Sequence, residues 1–96
     1  MKASIEAVGK IESYLREYAP GGKNTQALRA TSAVIRDIRS SEAGDHSYVR
    51  EKLVSLWGWV DKLYSARKHV PWGVDRVRQY ATSDCYRLKT YLETRS

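Results

Sequence analysis

Two histidines, His46 and His69, are the first residues to test for chemistry, because imidazole titrates near neutral pH and serves as base or metal ligand. Neither has a Ser, Cys or Asp at a spacing that marks a nucleophile and its base. Both fall at the edges of helical patterns, where His46 suits a helix start and His69 a helix C-terminus. The lone cysteine, Cys85, lies on an apolar stripe, whereas reactive thiols need exposure and a neighbouring positive charge. A small buried hydrophobe is its expected role. No C-x-x-C, H-E-x-x-H or E-x-x-H spacing offers a metal site. Pro20-Gly21-Gly22-Lys23 lacks the spacing of a phosphate loop and any preceding strand, so it is expected to be a turn. The expectation is a protein that is not an enzyme, with no catalytic residue, cofactor or metal.

Binding chemistry has more to work with. Near the C-terminus, Arg76, Tyr80, Ser83, Arg87 and Tyr91 fall along one shoulder of a helical pattern, at offsets 0, 4, 7, 11 and 15. Guanidinium groups interleaved with phenol rings suit phosphate contacts and stacking on exposed bases. The same residue types dominate protein–protein hot spots. An ordinary bundle flank, with Tyr rings over the core edge and Arg stems lying along it, has the same pattern. A second group, Arg29, Arg36 and Arg39, lies on the outer side of an earlier helix, where arginine suits bidentate phosphate or carboxylate recognition and a solvated face is the plainer reading. The third is Trp59 with Lys52 and Lys62, expected on a solvent-facing shoulder beside Tyr48. An indole left in water implies a partner or a self-association contact.

These residues must be positioned by a small framework. Ninety-six residues make one domain, and a chain of this size buries only roughly 60 to 65% of its unfolded surface. Apolar residues at 42% suffice for a core, and the aromatics are seven Tyr, three Trp and no Phe, which favours half-buried positions and interfaces. Seventeen Lys and Arg against 11 acids give a net charge of +6. That excess is spread out: +1 over residues 1–23, +1 over 24–44, +2 over 45–69 and +2 over 70–96. A distributed positive field suits polyanions, acidic protein faces or anionic surfaces, and it also keeps a protein soluble. One cysteine excludes an internal disulfide, so a reduced, cytoplasmic setting is expected. The start Met1-Lys2-Ala3-Ser4 leads straight into an amphipathic pattern, with no apolar core of signal-peptide type. The longest apolar stretch, Leu53 to Val60, is interrupted by Ser55 and falls well short of the ~20 residues of a membrane span.

Apolar spacing predicts four helices, at about residues 4–18, 25–41, 46–68 and 72–93. Val8, Ile11, Leu15 and Tyr18 form the first stripe, with Ser4 as its N-cap. Ala27, Leu28, Thr31, Val34, Ile35 and Ile38 form the second, capped by Asn24 or Thr25, and Ser40 to Gly44 is the stop, with Gly44 left-handed. Val49, Leu53, Leu56, Val60 and Leu63 form the third, at spacings of four, three, four and three, capped by Asp45 or Ser47. Val74, Val77, Ala81, Cys85, Leu88 and Leu92 form the fourth, with Asp84 at the core edge and Arg87 as its expected partner. Pro71 is expected to break the helical pattern between helices three and four, with a kinked continuous helix as the alternative. Gly9, inside a helix, either allows a close helix crossing or marks a weak point, and close backbone approach by a neighbour is one account of Gly58.

Short connections then give an all-α fold, a small antiparallel up-down four-helix bundle spanning residues 1–96. No motif carries a family resemblance. The leading functional expectation is a basic module docking on nucleic acid, or a nucleoprotein assembly, mainly through phosphate contacts. The alternative is an adaptor or inhibitor whose exposed Trp, Tyr and Arg meet an acidic protein surface. Homo-oligomerisation is left open.

Overall fold

The computed structural model describes residues 2–18, 26–65 and 73–95. Its helices are α1 (Lys2–Glu17), α2 (Gln26–Ser40), α3 (Ser47–Ser65) and α4 (Val74–Arg95), with one 3-10 turn at Glu42–Asp45. The expected turn at Pro20-Gly21-Gly22-Lys23, the caps Asn24 and Thr25, and Pro71 with His69 lie outside the described residues.

Each helix has two principal neighbours: α1 and α3 each pack on both α2 and α4. Contacts at the ends fix the directions. Ser4 near the start of α1 meets Ser41 just past the end of α2. Tyr18, just past the end of α1, donates its hydroxyl to the carbonyl of Leu63 near the end of α3, at 3.3 Å. Its own carbonyl accepts a hydrogen bond from Arg78, early in α4. At the other end, Tyr48 at the start of α3 stacks on Tyr91 near the end of α4. The helices therefore alternate up and down, in the antiparallel four-helix bundle that the spacing predicts, 40 × 21 × 17 Å in extent.

The core is built from the four stripes. Val49, Leu53, Leu56, Val60 and Leu63 of α3 are each at most 3% exposed. Full burial of such side chains stabilises by roughly 1.5–3 kcal/mol each. Val8, Ile11 and Leu15 of α1 face them, as do Leu28, Ile35 and Ile38 of α2 and Val77, Ala81, Cys85, Leu88 and Leu92 of α4. Val34 and Val74 are only half-buried at the edge of this core.

Local details depart from the sequence expectations at several points. Ser4 is no cap: α1 starts at Lys2, and Ser4 lies buried one turn before Val8 on the same stripe. Its Oγ is 3.4 Å from that of Ser41, whose hydroxyl already donates to the Ile38 carbonyl, so Ser4 is the donor. The α3 cap position belongs to His46 rather than Asp45 or Ser47, since the His46 carbonyl accepts the first helical hydrogen bond, from Arg50. Gly44 is not left-handed, and the steric demand on it is different. A Cβ there would sit 1.9 Å from the Arg39 carbonyl oxygen. The positive φ among the described residues is at Gly73 (+80°), immediately before α4, so no continuous helix passes through that residue. Gly9 and Gly58 have no neighbour within 4 Å of an added Cβ, so the expected close approach is not what places glycine there.

These surroundings predict opposite outcomes for three alanine substitutions. Gly58→Ala and Gly9→Ala should each raise stability by about 0.5–1 kcal/mol, the usual helix-interior difference between the two residues. Gly44→Ala should destabilise, at the upper end of the roughly 1–3 kcal/mol that overpacking costs. Urea unfolding of the three variants checks this, and a neutral Gly44→Ala would mean that the 3-10 turn is not packed as described.

Candidate functional site

With its stripe buried, α3 turns a second row of residues, Tyr48, Lys52, Ser55, Trp59 and Lys62, toward α4. On α4, Tyr80 and Tyr91, of the shoulder that also bears Arg76, Ser83 and Arg87, turn toward α3. Antiparallel packing brings the two rows together. Trp59 stacks on Tyr80 with ring centroids 4.9 Å apart, and Tyr48 stacks on Tyr91 at 4.6 Å. His46 meets Tyr91 edge-on, and its Nδ1 lies 3.3 Å from the Tyr91 hydroxyl. Between the two stacks, Ser55 donates a 2.6 Å hydrogen bond to the carboxylate of Asp84, which is 4% exposed. Ser55 thus takes the place expected for Arg87 as the partner of Asp84.

Cations border these rings. Lys62 Nζ lies 4.9 Å from the Trp59 ring centre, Lys52 Nζ 5.5 Å from that of Tyr48, and the Arg95 guanidinium 4.9 Å from that of Tyr91. Such contacts each contribute about 0.5–1 kcal/mol at exposed sites. Arg76 and Arg87 are exposed beside them. Two groups far apart in sequence, Trp59 with Lys52 and Lys62 and the Arg/Tyr row of α4, therefore form one basic and aromatic seam. Arg95 and Tyr48 complete it. Arg95 was readable as the next i+4 step after Tyr91.

The arginines of α2 lie elsewhere. Arg29, Arg36 and Arg39 are exposed, and the latter two wall a groove between α2 and α3. Trp57 belongs to that groove and is 44% exposed, while Trp59 is half-buried. This reverses the expectation that Trp59 faces solvent. Tyr80 covers Trp59, and nothing on α2 covers Trp57 to the same degree. Val54, off the stripe and 64% exposed, adds to the same surface. Among the described residues, none of Arg29, Arg36, Arg39, Arg76 and Arg87 forms an ion pair, whereas Arg78 approaches Asp75 at 3.5 Å. No helix among the described residues is long and apolar enough to cross a membrane, and no group of three His, Cys, Asp or Glu side chains among them is placed to hold a metal.

No protein-family model, curated protein or solved structure matches the chain.

Cys85 is sealed in the core beneath the seam. Burial, reinforced by the negative charges of Glu12 and Asp84, pushes its thiol up from an ordinary 9.0 to about 12. Its folded value lies above its unfolded one. Below about pH 9 it therefore adds nothing to the pH dependence, and above that the unfolded chain loses the proton first, so stability falls until about pH 12. Stability should thus decline less steeply between about pH 9 and 10 in Cys85→Ala than in the parent chain. A disulfide reagent at about pH 8 should label the thiol in urea and leave the native chain unmodified. Rapid labelling of the native chain would contradict this burial.

Proposed function

We propose that the chain is a non-catalytic module that docks on nucleic acid, or on a nucleic-acid-containing assembly, through the α3–α4 seam. The observation that carries this reading is that Lys52, Lys62 and Arg95 lie over the rings of one seam, with the exposed Arg76 and Arg87 one turn before Tyr80 and Tyr91 on α4, while Asp84 within the seam is buried and hydrogen-bonded. A row of cations on a rigid scaffold can neutralise successive phosphates, and the counterions released make such binding steeply salt-dependent. A net charge of +6 adds long-range attraction.

The mode differs from the one that the residue types alone suggest. Trp59 and Tyr91 already stack on Tyr80 and Tyr48, so their rings are committed within the chain. Phosphate contact, with rings serving as supports for the cations, fits this geometry better than base stacking does. Sequence-specific reading of a duplex is not part of the proposal, since no recognition-helix signature such as a helix-turn-helix stands out in the sequence.

Fluorescence anisotropy with single-stranded RNA, single-stranded DNA and duplex DNA over a range of salt concentrations tests the proposal. Saturable binding is expected, and in Arg76→Glu/Arg87→Glu the slope of log affinity against log salt should shrink by about two on duplex DNA, roughly 0.9 per lost phosphate contact. Arg36→Glu/Arg39→Glu changes the net charge equally on the other surface, and its slope should move far less. Flat traces at low salt, or equal losses in the two double variants, would sink the assignment to the seam.

A further inference from the structure

The groove between α2 and α3 takes no part in the seam and has its own chemistry. It consists of two hollows on either side of Trp57. One, of about 230 Å³, is floored by Ile35 and Leu53 and walled by Arg36 and Arg39. The other, of about 200 Å³, lies between Ser32, Val60, Asp61 and Tyr64. Together they run from Leu53 to Tyr64, three turns of α3 or roughly 16 Å. Val54, Trp57 and Tyr64 are 64%, 44% and 38% exposed there, large side chains left in water on a helix whose apolar stripe is covered.

We infer that this groove receives an amphipathic helix of a partner protein, its apolar side on Trp57 and its acidic residues against Arg36 and Arg39. A trough three turns long between two helices matches the helix-in-groove mode, in which side chains one turn apart fill successive hollows. Trp and Arg side by side are the residues on which binding energy concentrates. The sign of the occupant at the first hollow follows from its wall: two exposed guanidiniums with no ion pair among the described residues select carboxylates, which they can meet bidentately, while Asp61 at the second hollow confines the occupant's acidic residues to the Arg36 and Arg39 end. A second copy of the chain fits less well, because an isologous contact would bring two such walls and two net charges of +6 into one interface. Nucleic acid fits less well too, since the apolar floor has nothing to offer a phosphate. This assignment is independent of the seam reading.

Selection from a displayed library of helical peptides with randomised surface positions, using the full-length chain as target, tests it. The selected peptides should carry aromatic or aliphatic residues one turn apart, flanked by Asp or Glu. Trp57→Ala and Arg36→Glu/Arg39→Glu should each weaken a selected peptide by at least about tenfold, as loss of a hot-spot residue does. Arg76→Glu/Arg87→Glu should leave its affinity unchanged. Circular dichroism must show both groove variants folded, and Val54→Ser serves as a milder second probe of the apolar floor. Neutral or basic winners, equal binding by the groove variants, or an empty selection would overturn the inference. Concentration-dependent dimerisation abolished by Trp57→Ala would overturn it as well, by assigning the groove to a second copy.

Discussion

Burial of Val49, Leu53, Leu56, Val60 and Leu63 between α2 and α4 fixes the rotation of α3 about its own axis. With that rotation set, residues flanking the stripe have only two directions to take. Positions two apart on a helix differ by about 200° around it, so Trp57 and Trp59 must lie on opposite shoulders, one toward α2 and the other toward α4. Both candidate surfaces are therefore consequences of one packing constraint. A turn of α3 large enough to cover Trp57 would uncover the stripe itself, at roughly 1.5–3 kcal/mol for each side chain returned to water.

The α3–α4 seam shows how such a constraint turns into structure. Aromatic stacks hold it toward both ends, and the Ser55–Asp84 hydrogen bond holds its middle. Each aromatic pair contributes about 0.5–1.5 kcal/mol beyond its buried area, so a base inserting between the rings would first have to separate a pair of comparable strength. A phosphate approaching the rim meets no such barrier. Lys52, Lys62 and Arg95 lie over ring faces with their charged ends at the surface. The same stacks that stabilise the bundle thus favour charge, rather than ring-face contact, in the binding proposed for this side.

Helical spacing made the fold legible, since three- and four-residue intervals name both the element and its buried side. Every residue of the α3 stripe, and nearly all of the other three, lies where those intervals place it. What spacing cannot express is the neighbour. Ser4 looked like a cap because serine so often is one, yet its position one turn before Val8 makes it part of the α1 stripe. Gly44 looked left-handed, whereas the constraint comes from the Arg39 carbonyl packed against it. Asp84 has Arg87 three residues along its own helix, but Ser55 on α3 is its partner. Spacing gives the shoulder on which Trp59 lies and says nothing of Tyr80, which covers it from α4. The grouping of site residues was hidden for the same reason: angular position belongs to one helix, and a surface is made by two.

Folding alone does not account for the α2–α3 groove. Val54 lies outside the buried stripe, where a polar residue would change stability by less than roughly 0.5 kcal/mol. Across from Trp57, α2 presents Ser32 and Arg36, and a larger apolar side chain at position 32 would help to close the second hollow. Stability therefore gains little from the open form, which leaves an indole and an isopropyl group facing water. An open apolar trough also invites self-association, and like charge on the approaching molecules opposes it. Arg36 and Arg39 at the wall, within a chain of net charge +6, supply that repulsion where it is most needed. The same two guanidiniums would oppose a second copy of the chain and attract the acidic helix inferred for the groove, so one arrangement of charge would bear on both.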